Sequence, residues 1–274
     1  MLRRTAQLNK LISSILWRNA ATTMAKQPDI TFYTAQTPNG IKISIALEEL
    51  GLPYKLHHVT LSKGEQKQPW YLAINPNGRI PALTDSFPDG QPIHLFESGS
   101  ILQYLVEQYD PDHKISYPRG SRESYEVNNW LFFQNAGVGP MQGQANHFSR
   151  YAPEKIQYSI SRYHNETRRL YGVLDKHLAQ SRSGYLVGDR CTIADIAHWG
   201  WVAGAGWAGI EISEFPALKA WLERMLARPA VEKGRHVPSP HKIADTVQYN
   251  EQTEKEAAES RKWVLEGMKA DAKH

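Results

Sequence analysis

Residues 30–50, ITFYTAQTPNGIKISIALEEL, decide the fold. The run Ile30–Thr34 is rich in β-branched and aromatic residues, which predicts a short strand. The turn Thr37-Pro38-Asn39-Gly40 follows and leads into a helical stretch, Ile41–Leu50, that Gly51 ends. A strand, a turn and a helix in this order are typical of the start of an α/β domain.

The next segments continue this alternation up to residue 112. Pro88-Asp89-Gly90 is a hairpin turn between two of the predicted strands, and Asp110-Pro111 closes the last helix. The predicted elements are strands at Tyr54–Leu61, Ile80–Thr84 and Ile93–Phe96, and helices at Pro69–Ile74 and Ser98–Gln108. The order β-α-β-α-β-β-α over residues 29–112 predicts an α/β layer with a mixed sheet.

The pattern changes after a linker at Asp110–Arg119, where Pro, Asp, Gly and Ser cluster. Strand signals stop, and residues 119–238 show helical periodicity. The predicted helices are Ser121–Ala136, Pro153–Gln180, Ala194–Trp207 and Pro216–Arg228. The second domain is therefore predicted to be all-α.

The two ends of the chain carry separate expectations. Residues 1–28 hold five basic and no acidic residues, with Leu and Ile at helical spacing, which is the composition of a mitochondrial transit peptide. The alternatives are a disordered extension or sequence upstream of a second start at Met24. Localisation is thus mitochondrial if the leader is a transit peptide and otherwise cytoplasmic. The charged tail, residues 239–274, is expected to be a solvated helix or a frayed end.

Composition excludes several classes of function. The 32 basic and 28 acidic residues become 27 and 28 once the leader is set aside, so the body has no strongly basic surface for nucleic acid. No apolar run reaches the roughly 18 residues of a membrane span. A single cysteine excludes an internal disulfide framework and a CxxC pair, and the eleven histidines form no metal-binding spacing.

Thr192-Ile193-Ala194-Asp195 matches an acidic capping box at a helix start. The Thr192 hydroxyl would accept from the Asp195 backbone N–H, and the Asp195 carboxylate would accept from the Thr192 N–H. Cys191 and Ile196 fall at the positions of a hydrophobic staple. Cys191 is therefore predicted to be a packed structural thiol and not a nucleophile.

Taken together, these ordered motifs resemble the glutathione transferase superfamily over Asp29–Val237. The motifs are TPNG (Thr37–Gly40), NPNGRIPA (Asn75–Ala82), FESGSILQYL (Phe96–Leu105), GPMQGQANHF (Gly139–Phe148) and the capping box, and they resemble the Ure2p-like or nu-class branch. The resemblance implies an α/β thioredoxin-like N-terminal domain plus an all-α C-terminal domain. It also implies glutathione as co-substrate, a transferase activity with possible disulfide reductase or peroxidase activity, and a homodimer.

The resemblance assigns the glutathione-binding groups. Ile80-Pro81 would be a cis-proline step that pairs with the cysteinyl backbone, although an ordinary trans proline fits the sequence too. Glu97 would face the ammonium and Ser98 the carboxylate of the γ-glutamyl end; the alternative is a solvated acid before a plain N-cap. Gln66 and Arg79 would face the glycyl end, or lie in a solvated loop.

The sulfur contact falls to Asn39, helped by Thr37. The Asn39 amide can donate to a thiolate, and the helix N-terminus adds partial positive charge. A hydrogen bond to a charged group contributes about 1.5–3 kcal/mol, which is enough to lower a thiol pKa by one to two units. The alternative for Asn39 is an Asx-turn or N-cap residue.

Four residues of the second domain are candidates for the second substrate. Gln142, Asn146 and His147 would face the first domain, and Arg162 matches a position where nu-class enzymes bind a second glutathione or the far half of its disulfide. The alternative is a buried polar network with a surface arginine.

Two functions remain open from the sequence. The first is an enzyme whose bound glutathione thiolate attacks a small-molecule electrophile, a peroxide or a disulfide. The second is a non-enzymatic regulator or interaction subunit that keeps the fold.

Overall fold

The first domain is a four-stranded sheet with helices, as the sequence predicts. The computed structural model describes residues 28–243 and 250–271, so the predicted leader lies outside the described residues except for Pro28. The elements are β1 (Ile30–Thr34), α1 (Pro38–Leu50), β2 (Tyr54–His58), α2 (Pro69–Leu72), β3 (Ala82–Ser86), β4 (Pro92–Phe96) and α3 (Ser98–Tyr109). The predicted order β-α-β-α-β-β-α is confirmed.

The sheet is mixed and its strand order is β2-β1-β3-β4. β1 pairs in parallel with β2 and antiparallel with β3, which itself pairs antiparallel with β4. The sequence places β3 at Ile80–Thr84, but its pairing with β4 begins at Ala82, opposite Phe96. Proline has no N–H to give to a ladder, so Pro81 lies before the strand.

Helix α1 lies at the centre of the molecule. Thr37 is its N-cap, accepting a hydrogen bond from the Gly40 N–H, and Gly51 ends it in the left-handed conformation. Every residue of Gly40–Leu47 is buried, because α1 packs against other helices and its apolar side chains share one hydrophobic core with residues of β1 and β3. A helix that is buried all round needs apolar residues on every face, which IKISIALEEL largely supplies.

The regular elements in the described residues of the second domain are all helical, which confirms the prediction. Its helices are α4 (Arg122–Phe133), α5 (Gly139–Asn146), α6 (Gln157–Gln180), α7 (Ile193–Val202), α8 (Pro216–Leu226) and α9 (Pro229–Gly234), and π-helical segments Gln134–Val138 and His147–Tyr151 flank α5. Helix α7 is shorter than predicted: the stretch up to Trp207 contains Gly204 and Gly206, and a 3-10 turn replaces its end.

The predicted capping box at the start of α7 is present. The Thr192 N–H donates to Asp195 Oδ2 over 3.0 Å, while the Thr192 hydroxyl accepts from the Ala194 N–H. Cys191 is a free, buried thiol whose burial raises its pKa well above the ordinary value. A buried thiol that resists ionisation is a poor nucleophile, which supports the structural role.

The tail forms helix α10 (Glu251–Asp271), which is not solvated on all sides. Ala257 is buried, and the Arg261 guanidinium donates to the Arg150 carbonyl over 2.9 Å. The helix packs on the second π-helical segment. The described part of the chain contains no helix that is long and apolar enough to span a membrane.

Candidate active site

A cleft of about 630 Å³ lies between the two domains. One wall of the cleft is formed by the start of α1, the residues before β3 and the start of α3. The opposite wall is formed by the first π-helical segment, α5 and α7. The lining residues are Asn39, Lys42, Asn75, Asn77, Arg79, Ile80, Pro81, Glu97, Ser98, Gln134, Asn135, Gly139, Pro140, Gly143, Gln144 and Trp201. Six of the predicted site residues therefore meet in one place: Asn39, Arg79, Ile80, Pro81, Glu97 and Ser98.

Asn39 is held in one orientation. It is not the N-cap of α1, because Thr37 has that position. The Trp201 indole N–H donates to Asn39 Oδ1 over 3.0 Å. Helix α7 comes close enough for this at Gly200, where a Cβ would lie 2.9 Å from the Pro38 carbonyl oxygen. With its oxygen occupied, the Asn39 amide keeps its NH₂ group for a ligand in the cleft.

The start of α3 combines a strained residue with an exposed helix end. Glu97 has φ 66°, an unusual value for a residue other than glycine, and is solvent-exposed. The neighbouring Ser98 is buried, and its hydroxyl donates to Asn135 Oδ1 over 3.2 Å. Such backbone strain is typical of binding sites, and the free N–H groups of the first turn suit an anion.

The Ile80–Pro81 peptide bond is cis, as the resemblance implies. The segment before it is fixed by the Arg79 carbonyl, which accepts from the Tyr71 hydroxyl and the Asn75 amide, both over 2.7 Å. The Arg79 side chain is exposed on the cleft wall. The Arg79 guanidinium therefore lies at this end of the cleft.

Gln66 lies in the 3-10 turn Glu65–Lys67. Its Oε1 is buried and accepts no hydrogen bond from the described residues. It is not among the residues that line the cleft. The role that the resemblance gives Gln66, at the glycyl end of a ligand, stays a prediction.

Lys42 is a cleft residue that the sequence analysis missed. Its ammonium is fully buried and donates to Ser98 Oγ over 3.0 Å and to Gln134 Oε1. Burial lowers the pKa of Lys42 to about 7, and the Glu97 carboxylate opposes this shift. The available signal was a lysine in an otherwise apolar helix, three residues after Asn39 and hence on the same face.

A second cavity of about 440 Å³ lies under helix α10. Thr37, Gln142 and Asn146 line it, together with apolar groups that include Trp207 and Trp263. The Gln142 amide has both ends engaged, donating to the Trp201 carbonyl and accepting from the Tyr171 hydroxyl. Asn146 Oδ1, in contrast, is buried with no partner among the described residues. Of these predicted residues, Asn146 has the polar atom that a bound molecule could use.

Both domains of the chain match the models of one protein family. Residues 38–108 match the model of the glutathione S-transferase N-terminal domain, and residues 125–229 match that of the C-terminal domain. The chain belongs to the glutathione S-transferase family. It is 46% identical to the disulfide-bond oxidoreductase YfcG of Escherichia coli over 73% of this chain and 92% of that protein.

Solved structures of other glutathione S-transferases share the fold. A homologue from Lodderomyces elongisporus, with two GSH per subunit, is 47% identical, with a TM-score of 0.73 over 77% of this chain and 99% of that one. The glutathione transferase URE2P6 of Phanerochaete chrysosporium, in complex with oxidized glutathione, is 43% identical, with a TM-score of 0.70 over 77% and 96% of the two chains. The Ure2p-like branch is thereby confirmed.

Two further predicted residues lie outside the cleft of this glutathione S-transferase. Arg162 is exposed on α6 and lines a surface cavity of about 620 Å³ with Met141 and Arg169. His147 begins the second π-helical segment, its ring lies edge-to-face on Phe148, and burial lowers its pKa. Their roles in binding a second substrate stay predictions.

The single cysteine of this glutathione S-transferase does not line the cleft. Residues 28–243 and 250–271 contain no cluster of three or more His, Cys, Asp or Glu side chains that could hold a metal ion. The single cysteine is buried under α7. Any reactive sulfur in the cleft must therefore arrive with a ligand.

Proposed function

We propose that this protein is a glutathione transferase that binds glutathione in the interdomain cleft and stabilises its thiolate. The orientation of Asn39 is the observation that carries this proposal. Trp201 occupies the amide oxygen, so the side chain offers a donor to an anion at the N-terminus of α1. Thr37 supports the same helix end as its cap. Anion stabilisation at this point needs no general base, because a thiol pKa of about 8.5 lies close to neutral pH.

The rest of the cleft supports the same ligand. Glu97 and Ser98 suit the ammonium and carboxylate of the γ-glutamyl end, the backbone around Ile80–Pro81 suits the cysteinyl peptide, and Arg79 with Gln66 suits the glycyl carboxylate. The glutathione-bound relatives described above support this assignment.

A disulfide is one electrophile that this arrangement could reduce. The glutathione thiolate attacks one sulfur of the disulfide, which forms a mixed disulfide and releases the other sulfur as a thiolate that takes up a proton. A second glutathione thiolate then attacks the glutathione sulfur, which yields oxidised glutathione and a second free thiol. The resemblance to YfcG favours this reaction, and a transferase reaction with a carbon electrophile would use the same first thiolate.

The second substrate would enter from the helical domain. Gln142 and Asn146 border the apolar cavity under α10, which suits an apolar electrophile, while His147 and Arg162 lie farther along the same domain. A peroxide would need little of this space, because it reacts at the thiolate itself.

We also propose a homodimer. Tyr125 and Phe132 are 64% and 62% exposed, and their seven-residue spacing places both on one face of α4. Exposed aromatic side chains on one face are typical of an interface. A second copy of the chain would cover them, and light scattering should then give twice the 31.1 kDa chain mass.

Calorimetry and turnover assays test the proposed function together. Reduced and oxidised glutathione are titrated into the purified protein, and turnover is measured with an aryl halide, a hydroperoxide and hydroxyethyl disulfide. Binding with turnover of at least one substrate is expected. Binding without turnover would favour the regulator, and no binding of either form would contradict the proposal.

Replacing Trp201 by phenylalanine is expected to lower kcat/KM by about tenfold, the value of one hydrogen bond of about 1–1.5 kcal/mol. Without the indole N–H, the Asn39 amide is free to turn its oxygen toward the thiolate. The pH–rate profile of Trp201→Phe measures this effect. The pKa of the bound glutathione thiol should be higher in the variant than in the wild type. Trp130→Phe, a partly buried tryptophan on α4, is the control.

A double variant separates positioning from general packing. In an Asn39→Ala background, Trp201→Phe should have little further effect, because the amide that it orients is gone. Equal losses in both backgrounds would contradict the positioning role of Trp201.

A further inference from the structure

Lys42 is a buried cation that the described residues leave without a counter-charge at hydrogen-bond distance. Its side chain is 1% exposed, and its two hydrogen-bond partners, Ser98 and Gln134, are neutral. Lysine is almost never fully buried unless it is paired. The ion pairs within residues 28–243 and 250–271 do not include Lys42. A buried ammonium in this setting is stabilised by an anion that binds beside it.

Two further kinds of hydrogen-bond donor lie near the ammonium. Gln134 is fully buried and lines the cleft, and its Nε2 has no partner in the described part of the chain. The free N–H groups at the start of α3 point to the same region, since Ser98 is the first residue of that helix. An ammonium, an unpartnered amide and a helix N-terminus together fit an anion.

The charged groups of the neighbouring elements do not supply that anion. α1 packs against α3, α7 and α9. Glu97, before α3, is exposed and acts on Lys42 through space, while His198 on α7 is buried and neutral, with its pKa lowered to about 3. On α9, Lys233 pairs with Glu48 and Glu232 pairs with Arg235.

We propose that Lys42 binds the α-carboxylate of the γ-glutamyl end of glutathione and that the protein takes up a proton as this carboxylate binds. This inference rests on the proposed function. The start of α3 alone would give the carboxylate only neutral N–H donors, whereas Lys42 gives it a full opposite charge within a buried setting. Recognition of the ligand is thereby coupled to pH.

The direction of the coupling follows from the environment of Lys42. Without a ligand carboxylate, burial lowers its pKa to about 7, so near pH 8 about nine tenths of the lysines are neutral. A carboxylate close to the ammonium raises the pKa, because it favours the charged form. Binding at pH 8 should therefore take up close to one proton, and binding at pH 6, where Lys42 is already charged, should take up almost none.

The test uses S-methylglutathione, which has no ionisable thiol to confuse the proton count. Calorimetric titrations in phosphate and in Tris, two buffers with different ionisation enthalpies, give the number of protons bound. We expect about 0.9 protons at pH 8 and fewer than about 0.2 at pH 6 for the wild-type chain.

Lys42→Met is the decisive variant. Methionine is similar in length and removes an unpaired buried charge, so the fold should survive, which a thermal melt checks. Its affinity for S-methylglutathione at pH 6 should fall about ten- to hundredfold, the loss of one charge-assisted contact, and its proton uptake at pH 8 should disappear. Lys219→Met, an exposed lysine on α8, is the matched control and should behave like the wild type.

A ligand analogue identifies the carboxylate. S-methylated 4-aminobutanoyl-cysteinylglycine keeps the amine and the glycyl carboxylate but lacks the γ-glutamyl α-carboxylate. Wild type and Lys42→Met should bind it equally and without proton uptake. Wild-type binding of S-methylglutathione without uptake at pH 8, or with equal affinity in Lys42→Met, would overturn the role of Lys42 and leave the proposed function standing. No wild-type binding at either pH would overturn both.

Discussion

Replacing Asn39 by alanine is expected to lower kcat/KM at pH 6.5 by roughly ten- to a hundredfold, with the bound thiol pKa raised by about one to two units. The amide lost is the donor that Trp201 orients into the cleft. A hydrogen bond to a charged acceptor contributes about 1.5–3 kcal/mol, and each 1.36 kcal/mol corresponds to one pKa unit. The helix N-terminus and its Thr37 cap remain, so part of the anion stabilisation should survive.

The pH dependence separates this effect from weaker binding. Because the variant raises the thiol pKa, its rate deficit should be large below neutral pH and shrink toward pH 9, where the thiol ionises without help. Asn39→Asp should be worse than alanine, since it places a carboxylate where the thiolate forms. Asn128→Ala removes an amide contact with Gln103 on the far side of α3 and is the control. An unchanged pH–rate profile in Asn39→Ala would remove Asn39 from the thiolate site.

Local sequence signals correctly predict most of the first domain and one helix start in the second. The capping box at Thr192–Asp195, the hairpin at Pro88-Asp89-Gly90 and the TPNG turn depend on residues within a few positions of one another. Such short-range chemistry is readable because the partners lie in the same stretch of chain. The predicted ends of helices are less accurate where glycines end the helix, as at the C-terminal end of α7.

The contacts that tune the site could not be predicted in this way. Trp201 is 162 positions from Asn39, and Gln134 is 92 positions from Lys42, so both contacts exist only once the two domains pack. Charge patterning likewise described the C-terminal tail as solvated, whereas Ala257 and Arg261 hold one face of α10 against the helical domain. Long-range packing assigns these roles, and no alternation or spacing within a short window reveals them.

Replacing Asp195 by asparagine should cost about 3–5 kcal/mol in the free energy of unfolding. The carboxylate is fully buried, and each of its oxygens accepts from two groups: Oδ1 from the Leu186 N–H and the Trp221 indole, and Oδ2 from the Thr192 N–H and hydroxyl. An asparagine side chain has one acceptor oxygen and an NH₂ group. Its NH₂ group must therefore face the donors that one of the two carboxylate oxygens accepts from in the wild type. Desolvation raises the Asp195 pKa, and its hydrogen bonds oppose that shift.

Urea denaturation of the variant measures this loss, and Asp189→Asn is the matched control. Asp189 is a surface carboxylate paired with Arg190, so its replacement should change stability by less than about 1 kcal/mol. If unsatisfied donors are the cause, Trp221→Phe should reduce the cost of Asp195→Asn by about 1–2 kcal/mol, because it removes one of the two N–H groups at Oδ1. Additive losses in the double variant would instead indicate that the two side chains stabilise the helical domain independently, through packing and not through the shared carboxylate.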